Sequence, residues 1–165
     1  MVYYIHNKER GIAKMDMQMV LVFDMDGTIA DFYGVENWLT YLEEEKADPY
    51  EKAEPLYDMD KLKETLLKLK KKGYKIVVTS WLAKDSSKDF SNRTRIAKLE
   101  WLEKYDFPYD EIHLIKYGTT KANCTRNLGG FQILFDDNEQ VRKGWSLGAT
   151  INANLNILTV LESLV

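Results

Sequence analysis

The chain has 165 residues, of which 45% are hydrophobic and 12% are aromatic, and its net charge is -3. This length suits one compact domain, and the composition is sufficient for a hydrophobic core. The net charge argues against a strongly electrostatic nucleic-acid binder, although it leaves room for a local basic patch. The single cysteine, Cys124, excludes an internal disulfide framework and fits a reducing compartment.

Residues 1–18 precede the predicted domain. They mix charged and aromatic side chains and lack the long apolar centre of a secretory leader. No stretch of the chain approaches the roughly 20 apolar residues that cross a bilayer. We therefore expect a soluble, cytoplasmic protein without a membrane partner. Residues 1–18 are expected to be an extension, either a short strand over 2–5 or a loosely held arm, and one domain is expected over 19–165.

The stretch over 20–28 runs from an apolar strand into two aspartates. Its continuous Val-Leu-Val-Phe run is typical of a strand covered on both faces, as in a parallel sheet flanked by helices. Asp24 and Asp26 follow at the carboxyl end, where such sheets bind ligands, and Gly27 eases the turn that lets both face one cavity. One carboxylate beside a divalent cation can act as a nucleophile while the other moves a proton. A polar turn that closes a core strand is the alternative interpretation.

Residues 32–58 form a small acidic and aromatic insertion. The apolar spacing predicts a helix over 35–46 whose apolar face includes Trp38, Leu39 and Leu42. Two prolines then break the pattern. The insertion is expected to be either a lid over the site or a surface elaboration.

An α/β step follows the insertion. Three leucines at helical spacing among lysines predict an amphipathic helix over 58–72. A β-rich run then predicts a strand over 74–79 that ends at the hydroxyls of Thr79 and Ser80. A strand-end threonine or serine is in itself an ordinary cap.

The second half of the chain continues the alternation of helices and strands. A polar loop over 86–90 is predicted to precede a helix over 91–105 whose apolar positions are Ile96, Leu99 and Leu102. The remaining predicted elements are a strand over 111–115, a strand from 131 that ends in acids at 136 and 137, connecting pieces at 140–145 and 148–152, and a closing helix over 154–164.

Four of these segments resemble, in order, the four signatures of the haloacid dehalogenase-like (HAD) phosphohydrolase superfamily. They are the motif over 23–31, the pair Thr79-Ser80, a lysine after the third strand, and the pair Asp136-Asp137. The resemblance spans about 20–152. It implies a three-layer α/β sandwich with a central parallel sheet, Rossmann-like, with a small or absent cap. Right-handed crossovers would put strands two and three on one side of the first strand and the strand from 131 on the other.

The resemblance also implies a role for each catalytic residue. Asp24 would be the nucleophile, and Asp26 would protonate the leaving oxygen and then activate water. Thr79 and a lysine would offset the charge that develops on the phosphoryl group. Lys121 is favoured as that lysine because it follows a Gly-Thr-Thr turn, and Lys116 is the alternative.

Substrate and metal ligands follow from the same resemblance. Gly27, Thr28 and Ser80 are candidates for substrate binding. Mg²⁺ is expected between Asp24 and Asp136, with the backbone carbonyl of Asp26 as a further ligand and Asp137 beside them, since this ion prefers hard oxygen ligands. The metal residues are thus Asp24, Asp26, Asp136 and Asp137.

A narrower resemblance is to the 5'(3')-deoxyribonucleotidase-like branch, through residues 24–31, 79–80 and 98–105. The short insertion departs from the sizeable cap of that branch. The expected function is hydrolysis of a phosphomonoester through an aspartyl-phosphate, on a nucleotide or another phosphorylated metabolite. The alternatives are a phosphatase of a polynucleotide end or a phosphoprotein, and a non-catalytic binding module with the same fold.

Overall fold

The computed structural model describes residues 17–165, so residues 1–16 of the expected extension, including the possible strand over 2–5, lie outside the described residues. The strands of the sheet are β1 (Met19–Phe23), β2 (Lys75–Trp81), β3 (Glu111–Ile115), β4 (Phe131–Asp136) and β5 (Gly148–Asn152). The α-helices are α1 (Trp38–Glu43), α2 (Asp48–Lys52), α3 (Met59–Lys71), α4 (Lys88–Lys104), α5 (Ala122–Thr125), α6 (Glu139–Lys143) and α7 (Ile157–Glu162). Within residues 17–165, no helix is long and apolar enough to cross a membrane.

The strands lie in the order β3-β2-β1-β4-β5, and every neighbouring pair is parallel. Phe23 of β1 lies opposite Val78 of β2 and opposite Phe135 of β4. The prediction of a parallel sheet with the first strand at its centre is therefore confirmed. So is the placement of strands two and three on one side and the strand from 131 on the other.

Helices cover both faces of this sheet. Leu21 and Phe23 pack in one hydrophobic cluster with residues of α3, α4 and α7, whereas Val20 and Val22 pack in a second cluster with residues of α5 and α6. These four side chains are fully buried, so β1 is apolar on both faces and shows no alternation. The predicted three-layer α/β sandwich is confirmed.

Two segments that were predicted as connecting pieces are regular elements. Residues 148–152 form the edge strand β5, although glycine, alanine and asparagine have low strand propensity. Their pairing with β4 is close, since a Cβ on Gly148 would lie 2.2 Å from the carbonyl oxygen of Gln132. Within 140–145, the chain forms most of α6, because the Asn138 side chain accepts hydrogen bonds from two N–H groups of its first turn.

Helix α4 starts earlier than predicted and buries a different face. The Ser87 hydroxyl accepts a hydrogen bond from the N–H of Phe90 at 3.2 Å, so the predicted loop over 86–90 was wrong in its second half. Ile96 and Leu99 were expected in the core but are 53% and 37% exposed. The buried residues of α4 are Phe90, Thr94, Ala97, Lys98, Trp101 and Leu102.

The remaining elements differ from the predictions mainly at their ends. Helix α1 is shorter than the predicted 35–46, and Leu39 on it is exposed. Helix α7 is shorter than the predicted 154–164. Strand β2 continues to Trp81, so Thr79 and Ser80 lie inside the strand, and the prediction that they end it was wrong.

The insertion over 32–58 is packed against α4. Phe32 and Tyr50 share a buried cluster with Phe90 of that helix. The indole N–H of Trp101 donates a hydrogen bond to the carbonyl of Ala53 at 2.7 Å. These contacts make the insertion part of the packed domain.

Candidate active site

The carboxyl ends of β1 and β4 lie side by side at the point where the strand order of the sheet reverses. The chain leaves β1 toward β2 and leaves β4 toward β5, on opposite sides, which opens a crevice between the two strands. Asp24 directly follows β1, and its backbone N–H donates to the carbonyl of Phe135 at 3.0 Å. This bond extends the strand pairing by one residue and sets Asp24 beside Asp136.

Lys121 lies between these two carboxylates. Its Nζ is 2.8 Å from Oδ1 of Asp24 and 2.6 Å from Oδ2 of Asp136, and all three residues are buried. Burial by itself would lower the pKa of the ammonium, but attraction to both carboxylates outweighs burial and raises the pKa. Lys121 is therefore charged at neutral pH. Lys116, the alternative lysine, is exposed just after β3.

Asp24, Asp136 and Asp137 form a compact cluster of carboxylates. One oxygen from each lies within 4.8 Å of the other two. Burial, followed by repulsion from Asp24, raises the pKa of Asp136 to about 6 and that of Asp137 to about 7. Oxygen ligands that repel one another in a buried site suit a divalent cation such as Mg²⁺. Three of the four predicted metal residues are thus together, and Asp26 lies nearby on the pocket wall.

Gly27 lets the loop after β1 pass close to Asp137. Its φ is +75°, a conformation that favours glycine. A Cβ there would lie 2.4 Å from Oδ2 of Asp137 and 2.8 Å from the Tyr33 ring. The neighbouring Thr28 is fully buried, and its hydroxyl has no hydrogen-bond partner within residues 17–165. Both were predicted to bind substrate, but neither lines the pocket described below.

Asp26 is held from behind by a lysine. The Nζ of Lys98 lies 2.5 Å from Oδ2 of Asp26 and donates to the Ser80 hydroxyl at 3.1 Å. The Lys98 side chain is 1% exposed, whereas that of Asp26 is 21% exposed. Burial raises the pKa of Asp26, and the attraction of Lys98 opposes this effect.

Sequence reasoning missed Lys98 as a site residue. Ile96 and Leu99 pointed to the wrong face of α4, and Leu102 alone of the three predicted apolar positions is buried. A face drawn through Phe90, Ala97 and Trp101 would have included Lys98, since residues three or four apart share a face. A lysine on a buried helix face needs an acidic or polar partner. This requirement was the sequence signal that could have identified Lys98 as a site residue.

Thr79 and Ser80 are both fully buried and lie next to each other in β2. Adjacent residues of a strand point to opposite faces of the sheet. The Ser80 hydroxyl is engaged by Lys98, whereas the Thr79 hydroxyl has no partner in the described part of the chain. Neither residue lines the pocket.

Two residues that the sequence did not single out hold the loop after β4. The Arg142 guanidinium donates to the carbonyls of Asp136 and Asp137, at 2.8 and 2.7 Å. The backbone N–H of Asn138 donates to Oδ1 of Asp136 at 2.8 Å. These bonds hold the backbone of both aspartates and orient the Asp136 carboxylate.

A pocket of about 480 Å³ opens in front of the acids. The candidate site residues on its wall are Asp24, Asp26, Lys121, Asp136 and Asp137. Much of the remaining wall is aromatic, with contributions from Phe32, Tyr33, Trp38, Tyr50, Trp81, Phe90 and Tyr117. The insertion supplies the first four of these rings. It is therefore a wall of the pocket and not a surface elaboration away from the site, whereas its role as a lid stays a prediction.

The charges around the acid cluster favour a cation. Four carboxylates, those of Asp24, Asp26, Asp136 and Asp137, are paired with two buried lysines, Lys98 and Lys121. When all four carboxylates are ionised, two negative charges are left over, and they would repel a phosphate dianion. A divalent cation held by the carboxylate oxygens would remove this repulsion, so the residues present fit Mg²⁺.

Comparisons with known proteins give distant likenesses, all of them to solved structures. No protein-family model matches the chain, and no curated protein matches it. Among solved structures, D,D-heptose 1,7-bisphosphate phosphatase from Burkholderia thailandensis aligns with a TM-score of 0.47 and 14% identity, over 80% of this chain and 75% of that chain. The parallel sheet and the acid cluster of this chain stand independently of that likeness.

Proposed function

We propose that the chain is a magnesium-dependent phosphomonoesterase of the HAD-like type, acting through an aspartyl-phosphate. The observation that carries the proposal is the Lys121 ammonium between Asp24 and Asp136, with Asp137 beside them. This arrangement combines a buried carboxylate, a fixed cation and a set of metal-ligating oxygens at the wall of one pocket. Those are the groups that phosphoryl transfer to a carboxylate requires.

Asp24 performs the first step. Its carboxylate oxygen attacks phosphorus, and a bond forms between them as the ester P–O bond breaks. Asp26, which also lines the pocket, gives its proton to the leaving oxygen, so the product departs as a neutral alcohol. Lys121, 2.8 Å from Asp24, offsets the repulsion between the carboxylate and the phosphoryl oxygens.

Asp26 reverses its role in the second step. As a carboxylate, it takes a proton from a water molecule whose oxygen attacks phosphorus, and the bond between phosphorus and Asp24 breaks. Inorganic phosphate leaves and Asp24 is regenerated. The resemblance implies that Thr79 donates to a phosphoryl oxygen, but its fully buried hydroxyl lies outside the pocket wall, so we propose no substrate contact for it. The Ser80 hydroxyl is already engaged by Lys98.

Asp24, Asp136 and Asp137 would hold Mg²⁺, with the backbone carbonyl of Asp26 as a further ligand by family resemblance. When bound, the ion supplies charge neutralisation and orientation for the phosphoryl oxygens. The hydrogen bonds from Arg142 to the carbonyls of residues 136 and 137 keep the ligand loop in place.

The aromatic walls of the pocket support a nucleotide as the substrate. Stacking of a base on an aromatic side chain is worth roughly 1–3 kcal/mol. Trp81 and Tyr117 contact each other at a centroid distance of 4.8 Å, and Tyr33 and Trp38 do so at 5.1 Å. Both pairs line the pocket that contains Asp24. A planar leaving group could therefore stack while its phosphate lies against the acids.

Hydrolysis of 4-nitrophenyl phosphate with and without Mg²⁺ tests the activity. We expect turnover only with Mg²⁺, and Asp24→Asn should lower kcat by at least about 1000-fold, since an amide does not attack phosphorus well. Glu43→Gln is the matched control, because Glu43 also lines the pocket but lies on the insertion. Equal activity in Asp24→Asn and Glu43→Gln would contradict the proposal. Mg²⁺ binding without turnover would favour the non-catalytic module.

A substrate panel tests the leaving group. It contains nucleoside 5'- and 3'-monophosphates, sugar phosphates, and oligonucleotides with a 3'- or 5'-phosphate. The proposal predicts the highest kcat/KM for a nucleoside monophosphate. Preference for a sugar phosphate would contradict the stacking argument, and preference for an oligonucleotide would favour the macromolecular alternative.

A further inference from the structure

We infer that Lys98 is a positioning residue that orients the Asp26 carboxyl group and couples it to Ser80 of β2. The inference rests on the proposed function, because it assigns Asp26 the role of acid and base. Lys98 lies in the middle of α4, 72 residues from Asp26 along the chain. This ammonium therefore joins α4 by hydrogen bonds to two other elements, the loop after β1 and strand β2.

Each contact of the Lys98 ammonium restrains it from a different direction. Nζ is 2.5 Å from Oδ2 of Asp26 and 3.1 Å from the Ser80 hydroxyl. It also lies 4.8 Å from the centre of the Tyr50 ring, within the range of a cation–π contact. Because Oδ2 of Asp26 is bound from behind, Oδ1 is the oxygen left to face the pocket. Rotation of the carboxyl group is thereby restrained.

The burial of Lys98 indicates that it positions another residue and does not contact the substrate itself. Its side chain is 1% exposed, and it does not line the pocket, so it does not touch a substrate there. The Asp26 side chain is 21% exposed and does line the pocket. Lys98 therefore acts on the reaction through Asp26. This differs from Lys121, which lines the pocket and contacts Asp24 directly.

A purely structural role explains this lysine poorly. Replacing a buried ion pair by apolar side chains is often neutral or stabilising, and the surrounding face of α4 is otherwise formed by residues such as Phe90, Ala97 and Trp101. Loss of the lysine would leave Asp26 able to contact water, since its side chain is already partly exposed. Lys98→Met is therefore expected to fold.

The test compares two substrates of similar shape. The leaving group of 4-nitrophenyl phosphate is acidic, whereas that of phenyl phosphate resembles a tyrosine phenol with a pKa of about 10. A misoriented acid matters most for the less acidic leaving group. Lys98→Met should lower kcat for phenyl phosphate about 10- to 100-fold more than for 4-nitrophenyl phosphate. KM should change little for either substrate.

Two further variants complete the experiment. Trp101→Phe, on the same buried face of α4, removes a hydrogen bond to Ala53 without touching Asp26, so both substrates should respond equally. Lys98→Gln keeps an N–H donor, so its kcat should also fall more for phenyl phosphate than for 4-nitrophenyl phosphate, but by a smaller factor than in Lys98→Met. If Lys98→Met does not fold, the result for Lys98→Gln decides whether Lys98 positions Asp26. Equal losses on both substrates, or a change in KM alone, would overturn the role of Lys98. Absence of turnover in the wild-type protein would instead overturn the proposed function, and this role with it.

Discussion

Substitution of Gly27 by alanine should separate the metal site from the stability of the fold. The Cβ would lie 2.4 Å from Oδ2 of Asp137, about 1 Å closer than an ordinary contact, so the carboxylate must move by about that distance. A displacement of about 1 Å at a reacting group can cost about 100-fold in rate. The positive φ adds a strain of about 1–2 kcal/mol. We therefore expect kcat/KM to fall about 100-fold and Mg²⁺ to bind more weakly.

Gly73→Ala is the matched control for that variant. Gly73 has a φ of +93°, and no atom lies within 4 Å of its would-be Cβ. It should therefore carry the backbone strain of Gly27→Ala without moving a carboxylate. The assays are urea unfolding, hydrolysis of 4-nitrophenyl phosphate, and the rise in Tm on addition of Mg²⁺. If Gly27→Ala matched Gly73→Ala in both activity and Mg²⁺ response, Asp137 would have no part in the metal site.

Two further predictions concern the charges of the site. Lys121→Met should lower the free energy of unfolding by about 3–5 kcal/mol without metal, because two buried carboxylates lose their shared cation; an unchanged urea midpoint would contradict this. Without metal, the free energy of unfolding should fall as pH rises from about 4 to about 7. The pKa values of Asp136 and Asp137 are raised to about 6 and about 7 in the folded protein, above the ordinary aspartate pKa of about 4, so the folded state binds protons more tightly than the unfolded state. Mg²⁺ competes with those protons, so its effect on Tm should be larger at about pH 8 than at about pH 5.5; an equal effect at both would exclude these carboxylates as ligands.

The centre of the fold could be predicted because its residues are buried on both sides. The apolar run from Val20 to Phe23 leaves no solvent-facing position, and this pattern is typical of parallel strands. The carboxyl ends of parallel strands meet at one edge of a sheet. The convergence of Asp24 with Asp136 could therefore be expected from two separate motifs, before their distance was known.

The edge of the fold could not be predicted in the same way. Strand β5, from Gly148 to Asn152, has a low intrinsic strand propensity, and its conformation depends on pairing with β4. In α4, the predicted buried face was drawn through Ile96 and Leu99, which are exposed. The face that is buried includes the polar residues Thr94 and Lys98, so hydrophobicity did not indicate it. Hydrophobic periodicity identifies a helix more reliably than it identifies which face of that helix is buried.

Long-range partners explain what the sequence left out of the site. Lys98 and Asp26 are 72 residues apart, and no local pattern joins them. Arg142 reaches back five and six residues to hold the carbonyls of the acid pair. The sequence thus indicates the groups that we propose to react, Asp24 and Asp26, because they follow the end of a strand. The residues that fix their orientation emerge only when the helices are packed.

The proposed mechanism makes Asp24 the nucleophile and Asp26 the acid and base, and mass spectrometry of the Asp26→Asn variant tests these two roles most directly. An amide at position 26 cannot deprotonate water, but an acidic leaving group needs little help to depart. After incubation with 4-nitrophenyl phosphate and Mg²⁺, a phosphoenzyme should accumulate with the phosphoryl group on Asp24. Phosphate on any other residue, or full activity in Asp24→Asn, would contradict the assignment.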